Sequence, residues 1–251
     1  MNIYLLLKFS IGLILSSTDL VICQAPTAAD LQSVKDAFAK EGVVKDVITN
    51  FEPKAVMRVF YAPETEASKV VIPGQKVLRE LTAKQPKFLV DFPSETDVSA
   101  ATKSTFTLIM VDPDAPSRKN PTLGGFRHFL ATNVNLNPVN QSTTLEAIIS
   151  SPPISTYAQP SPPKGTGFHR YVFLLYSGQP SEASLKPFQG AKASRTQFNA
   201  QNFVDSSGLG SPIAGTFMQV TAQQKLKDDI KRSFSKILVF TTPFWGNREL
   251  F

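Results

Sequence analysis

Residues 104–111 read STFTLIMV, a run of β-branched and apolar residues that predicts a β-strand. Residues 127–134 (RHFLATNV) and 169–176 (HRYVFLLY) have the same character and predict two more strands. The first run leads directly into Asp-Pro-Asp-Ala-Pro at 112–116, where proline restricts the backbone of the residue before it. A rigid turn is therefore expected at the end of the first strand, with its carboxylates held in fixed directions.

Shorter extended segments precede these strands, and an irregular stretch separates the second strand from the third. Residues 55–61, 68–72 and 87–92 are short, and prolines divide them from one another. Residues 135–167 are rich in Asn, Ser and Pro and interrupt the strand pattern. Proline lacks the N–H that a central strand needs, so the 19 prolines of the chain indicate many loops and strand edges.

Helical periodicity is found towards the two ends of the chain. Residues 27–49 begin with the capping residue Thr27, have Asp30 three positions later, and are expected to break or bend at Gly42. Residues 221–237 (TAQQKLKDDIKRSFSKI) form an amphipathic pattern. With no repeat and no linker, the sequence predicts a single mostly-β (α+β) domain with antiparallel sheets and helices at both ends.

The N-terminus has the pattern of a secretory signal peptide. An apolar stretch at 3–15 is too short for the roughly 20 residues of a spanning helix, and a polar break follows it. We expect a signal peptide over 1–23, with cleavage after Cys23 or, alternatively, after Ala25, and no transmembrane segment. Cleavage would remove the only cysteine and leave residues 24–251 as an extracellular domain without disulfides.

Composition and the remaining segments limit the possible partners. The net charge of +6 gives a loose attraction to anionic surfaces, but no nucleic-acid-binding motif accompanies it, so nucleic acid is not a predicted partner. Asn140 begins an Asn-Gln-Ser sequon and is a predicted glycosylation site. Residues 238–251 are apolar and aromatic, and we expect this C-terminal extension to pack onto the domain.

The two histidines of the chain, His128 and His169, each lie at the start of a predicted strand. Alternation along a strand places His169 and Tyr171 on one face. If the three strands are neighbours, their ends bring these residues together with Asp112. Such a group suits a small anion, or a zwitterion whose ammonium group balances the carboxylate. Each histidine is also open to a purely structural interpretation, and the proline-rich turn is of a common kind.

Catalytic interpretations have less support from the residues. There is no Gly-x-Ser-x-Gly element, and Gly208-Leu209-Gly210-Ser211 has the wrong spacing for one. The two histidines and Asp112 lack the spacing that would indicate a metal site. The sequence therefore predicts a non-enzymatic protein with no cofactor and no metal.

Three long motifs resemble one known family. Residues 107–129 (TLIMVDPDAPSRKNPTLGGFRHF), 157–176 (YAQPSPPKGTGFHRYVFLLY) and 197–219 (QFNAQNFVDSSGLGSPIAGTFMQ) are similar, in order and spacing, to motifs of the phosphatidylethanolamine-binding proteins, also called the Raf kinase inhibitor family. The resemblance implies a large antiparallel sheet packed with a smaller sheet, peripheral helices, and an anion pocket at strand ends.

Carried over by position, the resemblance implies a ligand site and differences around it. The implied ligand-binding residues are Asp112, Pro116, Phe126, His128, His169 and Tyr171, with Phe126 standing where members often have tryptophan. The implied rim consists of Asp114, Pro160, Ser161 and Met218. Gln159, Pro160 and Ser161 occupy positions where several animal members have glycines, and Met218 stands where members can have tyrosine.

The resemblance implies two functions. The first is the binding of a phospholipid headgroup of the phosphatidylethanolamine type, or of another small phosphorylated or anionic ligand. The alternative is a secreted inhibitor of a serine carboxypeptidase or another hydrolase, with a protease as partner and residues 24–30 as a candidate inhibitory segment.

Overall fold

The computed structural model describes residues 25–61, 69–139, 142–190 and 192–222. The predicted signal peptide, Asn140, the predicted helix at 221–237 beyond Ala222, and the C-terminal extension lie outside these residues. The strands are β1 (Val56–Tyr61), β2 (Lys69–Val71), β3 (Gln75–Lys76), β4 (Lys87–Asp91), β5 (Thr105–Asp112), β6 (Phe126–Pro138), β7 (Thr144–Ile149), β8 (His169–Ser177) and β9 (Ala214–Val220).

The helices are short and lie outside the sheet. They are α1 (Ala28–Lys40), α2 (Val43–Asp46), α3 (Glu95–Ala101), α4 (Glu182–Leu185) and α5 (Ala200–Ser207), with single 3-10 turns at Arg79–Thr82 and Lys186–Phe188. The predicted N-terminal helix begins as expected, because Thr27 and Asp30 form a reciprocal capping box. It ends before Gly42, whose φ of 70° is in the left-handed region. The expected break at Gly42 is therefore confirmed.

All nine strands belong to one mixed sheet in the order β2-β1-β4-β7-β6-β5-β8-β9-β3. Every pair is antiparallel except β3 with β9. The sheet curls until it is nearly closed: the backbone N–H groups of Lys54 and Ala55, just before β1, donate to the carbonyl of Ile213, just before β9, at 2.7 and 3.2 Å. The expectation of a second, smaller sheet is corrected, because the strands that the structure describes are all paired into this one sheet.

Two apolar clusters cover the two faces of the sheet. Phe106, Leu108 and Met110 of β5 belong to the cluster inside the curled sheet, whereas Ile109 and Val111 belong to the cluster between the sheet and the helices. Both faces of the central strands are thus buried, which explains why their sequences are continuous apolar runs rather than alternating ones.

The central strands place the ends that the sequence singled out next to one another. β5 lies between β6 and β8, and it is antiparallel to both. The end of β5 therefore lies beside the beginnings of the other two strands. The predicted neighbourhood of the three strands is confirmed.

Candidate functional site

A cavity of about 310 Å³ opens where the end of β5 meets the beginnings of β6 and β8. It is lined by Asp112, Ala115, Pro116, Leu123, Phe126, His128, Ala158, Gln159, Ser161, Pro162, Pro163, His169 and Tyr171. The structure thus brings together all six residues expected to bind the ligand, and one of the four expected at the rim, Ser161.

Asp112 and His169 form a buried pair on the floor of the cavity. Nδ1 of His169 lies 2.8 Å from Oδ2 of Asp112, and both side chains are nearly inaccessible to solvent. Oδ1 of Asp112 accepts the backbone N–H of Asp114 at 2.7 Å, which fixes the carboxylate in the turn. The histidine is therefore oriented by a carboxylate that the turn itself holds in place.

The second nitrogen of His169 already has a partner. Oγ1 of Thr166 lies 2.9 Å from Nε2 of His169 and donates its one hydrogen to the carbonyl of Pro163 at 2.8 Å. The Thr166 hydroxyl therefore accepts from Nε2, while Nδ1 faces the carboxylate.

His128 has a different environment, and only one of its ring nitrogens has a hydrogen-bond partner among the described residues. Its Nδ1 lies 2.7 Å from the carbonyl of Ala158 and donates to it. Burial lowers the pKa of His128, the Ala158 carbonyl and Asp112 oppose that shift, and Arg195 and His169 add to it. In its neutral form the ring therefore presents the lone pair of Nε2.

Aromatic rings hold His128 in position. The ring centroid of Phe126 lies 4.7 Å from that of His128, and the ring of Tyr171 lies 5.0 Å away, edge to face. Burial raises the pKa of Tyr171, as do Asp112 and Asp114, so its hydroxyl keeps its proton. Tyr171 is therefore a neutral donor that interacts with Asp112.

The mouth of the cavity is apolar. Leu123, which is 41% exposed, is one of three exposed large hydrophobic residues of the described chain. Phe126 and three prolines, Pro116, Pro162 and Pro163, complete this side. Within the described ranges, no lysine or arginine lines the cavity. The arrangement suits a ligand with a polar end that reaches the floor and an apolar part at the mouth.

Comparison with known proteins identifies the family of the chain. A sequence model of the phosphatidylethanolamine-binding protein family matches residues 67–218, which include every residue of the cavity. The chain belongs to this family.

Solved structures of similar fold include members of the family and an inhibitor. Carboxypeptidase Y inhibitor, in the crystal structure with its cognate proteinase, is 25% identical to this chain, with a TM-score of 0.62 over 76% of this chain and 96% of the inhibitor. Phosphatidylethanolamine-binding proteins from Plasmodium vivax and Plasmodium falciparum are 18% and 20% identical, with TM-scores of 0.55 and 0.51. Each match covers 78% of this chain, with 97% and 98% of the respective Plasmodium chain.

Asp114, an expected rim residue, lies away from the cavity. Its carboxylate accepts the backbone N–H of Arg170 at 2.7 Å and the guanidinium of Arg170 at 3.0 Å and 2.6 Å. Arg170 points to the face of the sheet opposite to His169, as strand alternation requires. The rim interpretation of Asp114 is therefore replaced by a buried ion pair.

The other two displaced rim residues are buried. Met218 is paired with Tyr171 across β8 and β9 and is fully enclosed in the cluster inside the sheet, so it does not reach the mouth. Pro160 is also buried and does not line the cavity, although its neighbours Gln159 and Ser161 do. The side-chain N–H of Gln159 donates to the carbonyl of Arg79 at 3.0 Å, which ties this loop to the body of the protein.

Three residues in or beside the cavity, Ala158, Thr166 and Leu123, were not singled out from the sequence, although each lies within one of the family motifs. Ala158 acts through its backbone carbonyl, and Thr166 lies between Gly165 and Gly167, both with positive φ, so periodicity does not mark it. The loop position of Leu123 carried no apolar pattern.

Within the described residues, no cluster of three or more His, Cys, Asp or Glu is arranged to hold a metal ion. No helix in the described ranges has the length and apolar character needed to cross a bilayer.

Proposed function

We propose that the cavity binds a small ligand whose anionic group is accompanied by its own ammonium group and attached to an apolar part, as in a phosphatidylethanolamine-type headgroup. The observation that carries the proposal is the meeting of His128, His169, Asp112 and Tyr171 on one floor beneath an apolar mouth. The function is binding, without catalysis.

Charge balance on the floor favours a zwitterion. Asp112 is paired with His169, and Tyr171 stays neutral, so this part of the floor offers little net attraction to an anion. His128 can donate to an anion only when Nε2 takes up a proton. A ligand ammonium group, in contrast, finds acceptors in the Asp112 carboxylate and in neutral Nε2. A bare phosphate lacks that second interaction.

The experiment is calorimetric titration of the protein with glycerophosphoethanolamine, glycerophosphate and inorganic phosphate. We expect glycerophosphoethanolamine to bind most tightly, and His128→Gln to weaken it by about tenfold or more, as for loss of a hydrogen bond to a charged group. Lys103→Gln, which removes one exposed positive charge next to α3, is the matched control and should bind like the wild type. Equal affinity of His128→Gln and wild type would refute the assignment.

A second candidate function is inhibition of a serine carboxypeptidase. Its support is the 25% identity and TM-score of 0.62 to carboxypeptidase Y inhibitor over nearly all of that chain. The candidate inhibitory segment begins just before α1, and its described residues from Ala25 onwards are at least partly exposed. Assay of carboxypeptidase Y with the purified protein tests this candidate, and full activity at a large molar excess of the protein contradicts it.

We also propose that the protein is secreted and carries a glycan at Asn140. The support is the apolar stretch at 3–15 and the sequon at 140–142, between β6 and β7. Expression in a secretory host, followed by N-terminal sequencing and enzymatic deglycosylation, tests both points. An intact Met1 on intracellular protein contradicts the first, and an unchanged mass after deglycosylation contradicts the second.

A further inference from the structure

A second cavity, of about 240 Å³, lies at the opposite end of β8. We call it the Tyr176 cavity. It is enclosed by Thr49 and Asn50, by one face of α5, and by the loop that leads into β9. Tyr176 is seven positions from His169, so the two cavities are about 23 Å apart along the strand. Tyr176 also belongs to the cluster on the helix-covered face of the sheet, whereas Tyr171 belongs to the other cluster.

The floor of this cavity holds a polar group without a partner. The side chain of Tyr176 is fully buried, and its hydroxyl has no hydrogen-bond partner in the described part of the chain. A buried hydroxyl left unpaired is destabilising, because it loses its hydrogen bond to water on folding. Burial and the nearby carboxylate of Asp205 both raise the pKa of Tyr176, so the group remains a neutral donor. A ligand acceptor at this point would satisfy it.

The walls define what else the ligand must offer. Gln201 accepts the backbone N–H of Thr49 at 2.9 Å and donates to Oδ1 of Asp205 at 2.8 Å, which fixes this carboxylate at the cavity. Asp205 is the one charged side chain among the described lining residues, so the site repels anions. Val204 and Leu209 supply apolar contact beside these polar groups.

A ligand therefore has to accept from a phenol, donate towards a carboxylate, and place C–H groups on apolar walls. Hydroxyl groups both accept and donate. The volume is about eight times the roughly 30 Å³ of one water molecule, which is enough for one sugar ring. We propose that the Tyr176 cavity is a binding site for a neutral polyhydroxylated ligand of about one sugar ring.

The test is an NMR titration of the full chain with methyl glucoside and methyl mannoside as probes. We expect the amide signals of Thr49 and Gly210 to shift with at least one probe, while that of Ala158, in the other cavity, stays unchanged. Tyr176→Phe removes the hydroxyl and should weaken this binding at least tenfold. Because the hydroxyl is unpaired, the variant should melt no lower than the wild type.

Tyr61→Phe is the matched control, because Tyr61 is another fully buried tyrosine and its hydroxyl lies 3.1 Å from that of Tyr157. It should retain the probe binding of the wild type. Absence of shifts at Thr49 and Gly210 with both probes would overturn the proposal, as would unchanged affinity of Tyr176→Phe. Tighter binding of methylammonium than of either glycoside at the same amides would also overturn it, in favour of a cation site.

Discussion

Replacement of Asp114 by asparagine should destabilise the protein strongly without affecting ligand binding. Asp114 and Arg170 have side chains that are 1% and 2% exposed, and three hydrogen bonds of 2.6 to 3.0 Å join the two residues. Removing one partner of such a buried pair costs about 3–5 kcal/mol, because the remaining charge stays buried. The asparagine keeps an acceptor for the backbone N–H of Arg170, so we expect the lower value, about 3 kcal/mol.

The matched control uses the other carboxylate that contacts the same arginine. Asp46 lies 2.8 Å from Arg170 but is 41% exposed, so Asp46→Asn should cost at most about 1 kcal/mol. Both variants are compared with the wild type by urea unfolding and by thermal melting. A loss of 3 kcal/mol corresponds to a decrease in Tm of about 6–12 °C for a domain of this size.

Substitution of the two aspartates of the turn, Asp112 and Asp114, should have different effects on ligand binding. Because Asp114 faces away from the cavity, Asp114→Asn should bind glycerophosphoethanolamine within twofold of the wild type at a temperature where it is folded. Asp112→Asn should weaken that binding, since Asp112 orients His169. If Asp114→Asn melts like Asp46→Asn, or loses binding as Asp112→Asn does, the placement of Asp114 on the structural side is refuted.

Three further predictions concern the cavity and its support. Anion binding requires a proton on Nε2 of His128, and burial lowers the pKa of this histidine. The affinity for glycerophosphate should therefore rise as the pH falls from 7.5 to 5.5, by up to about tenfold per pH unit. A flat calorimetric profile over this range would contradict the prediction. Thr166→Val removes the hydroxyl partner of Nε2 of His169 and frees this nitrogen to donate to the ligand. Glycerophosphate should then bind about tenfold more tightly. Weaker binding by a folded variant would contradict this prediction. Gly125→Ala places a Cβ in steric conflict with the backbone carbonyl of Phe198 and should cost about 1–3 kcal/mol in urea unfolding. Unfolding at the urea concentration of the wild type would contradict this.

The sequence predicted the strands better where both sheet faces are buried than where they are not. The continuous apolar runs identified β5 and β8, and the short segments at 55–61, 68–72 and 87–92 correspond to β1, β2 and β4. The expectation of an interruption over 135–167 was wrong in part. β6 continues to Pro138, and β7 also lies within this stretch. β7 was missed because it is only six residues long and its mixed burial leaves no continuous apolar run.

The site was predictable as far as strand alternation reaches. His128, His169 and Tyr171 lie on strands, so their shared face followed from the pattern, and Asp112 is the last residue of β5. Asp114 lies beyond the strand, where alternation no longer applies. Its direction is decided by a guanidinium 56 positions later in the chain, which no local pattern reveals.

The cavity contains four titratable side chains, yet its floor offers little net attraction to an anion before a ligand enters. Asp112 is hydrogen-bonded to His169, burial favours neutral His128, and Tyr171 keeps its proton. The net charge of +6 belongs to the chain as a whole, and within the described ranges no lysine or arginine lines this cavity. A ligand with several negative charges would bring uncompensated charge into a buried site, which is costly. A ligand that carries one charge of each sign avoids that cost, so a zwitterionic headgroup should bind in preference to free phosphate.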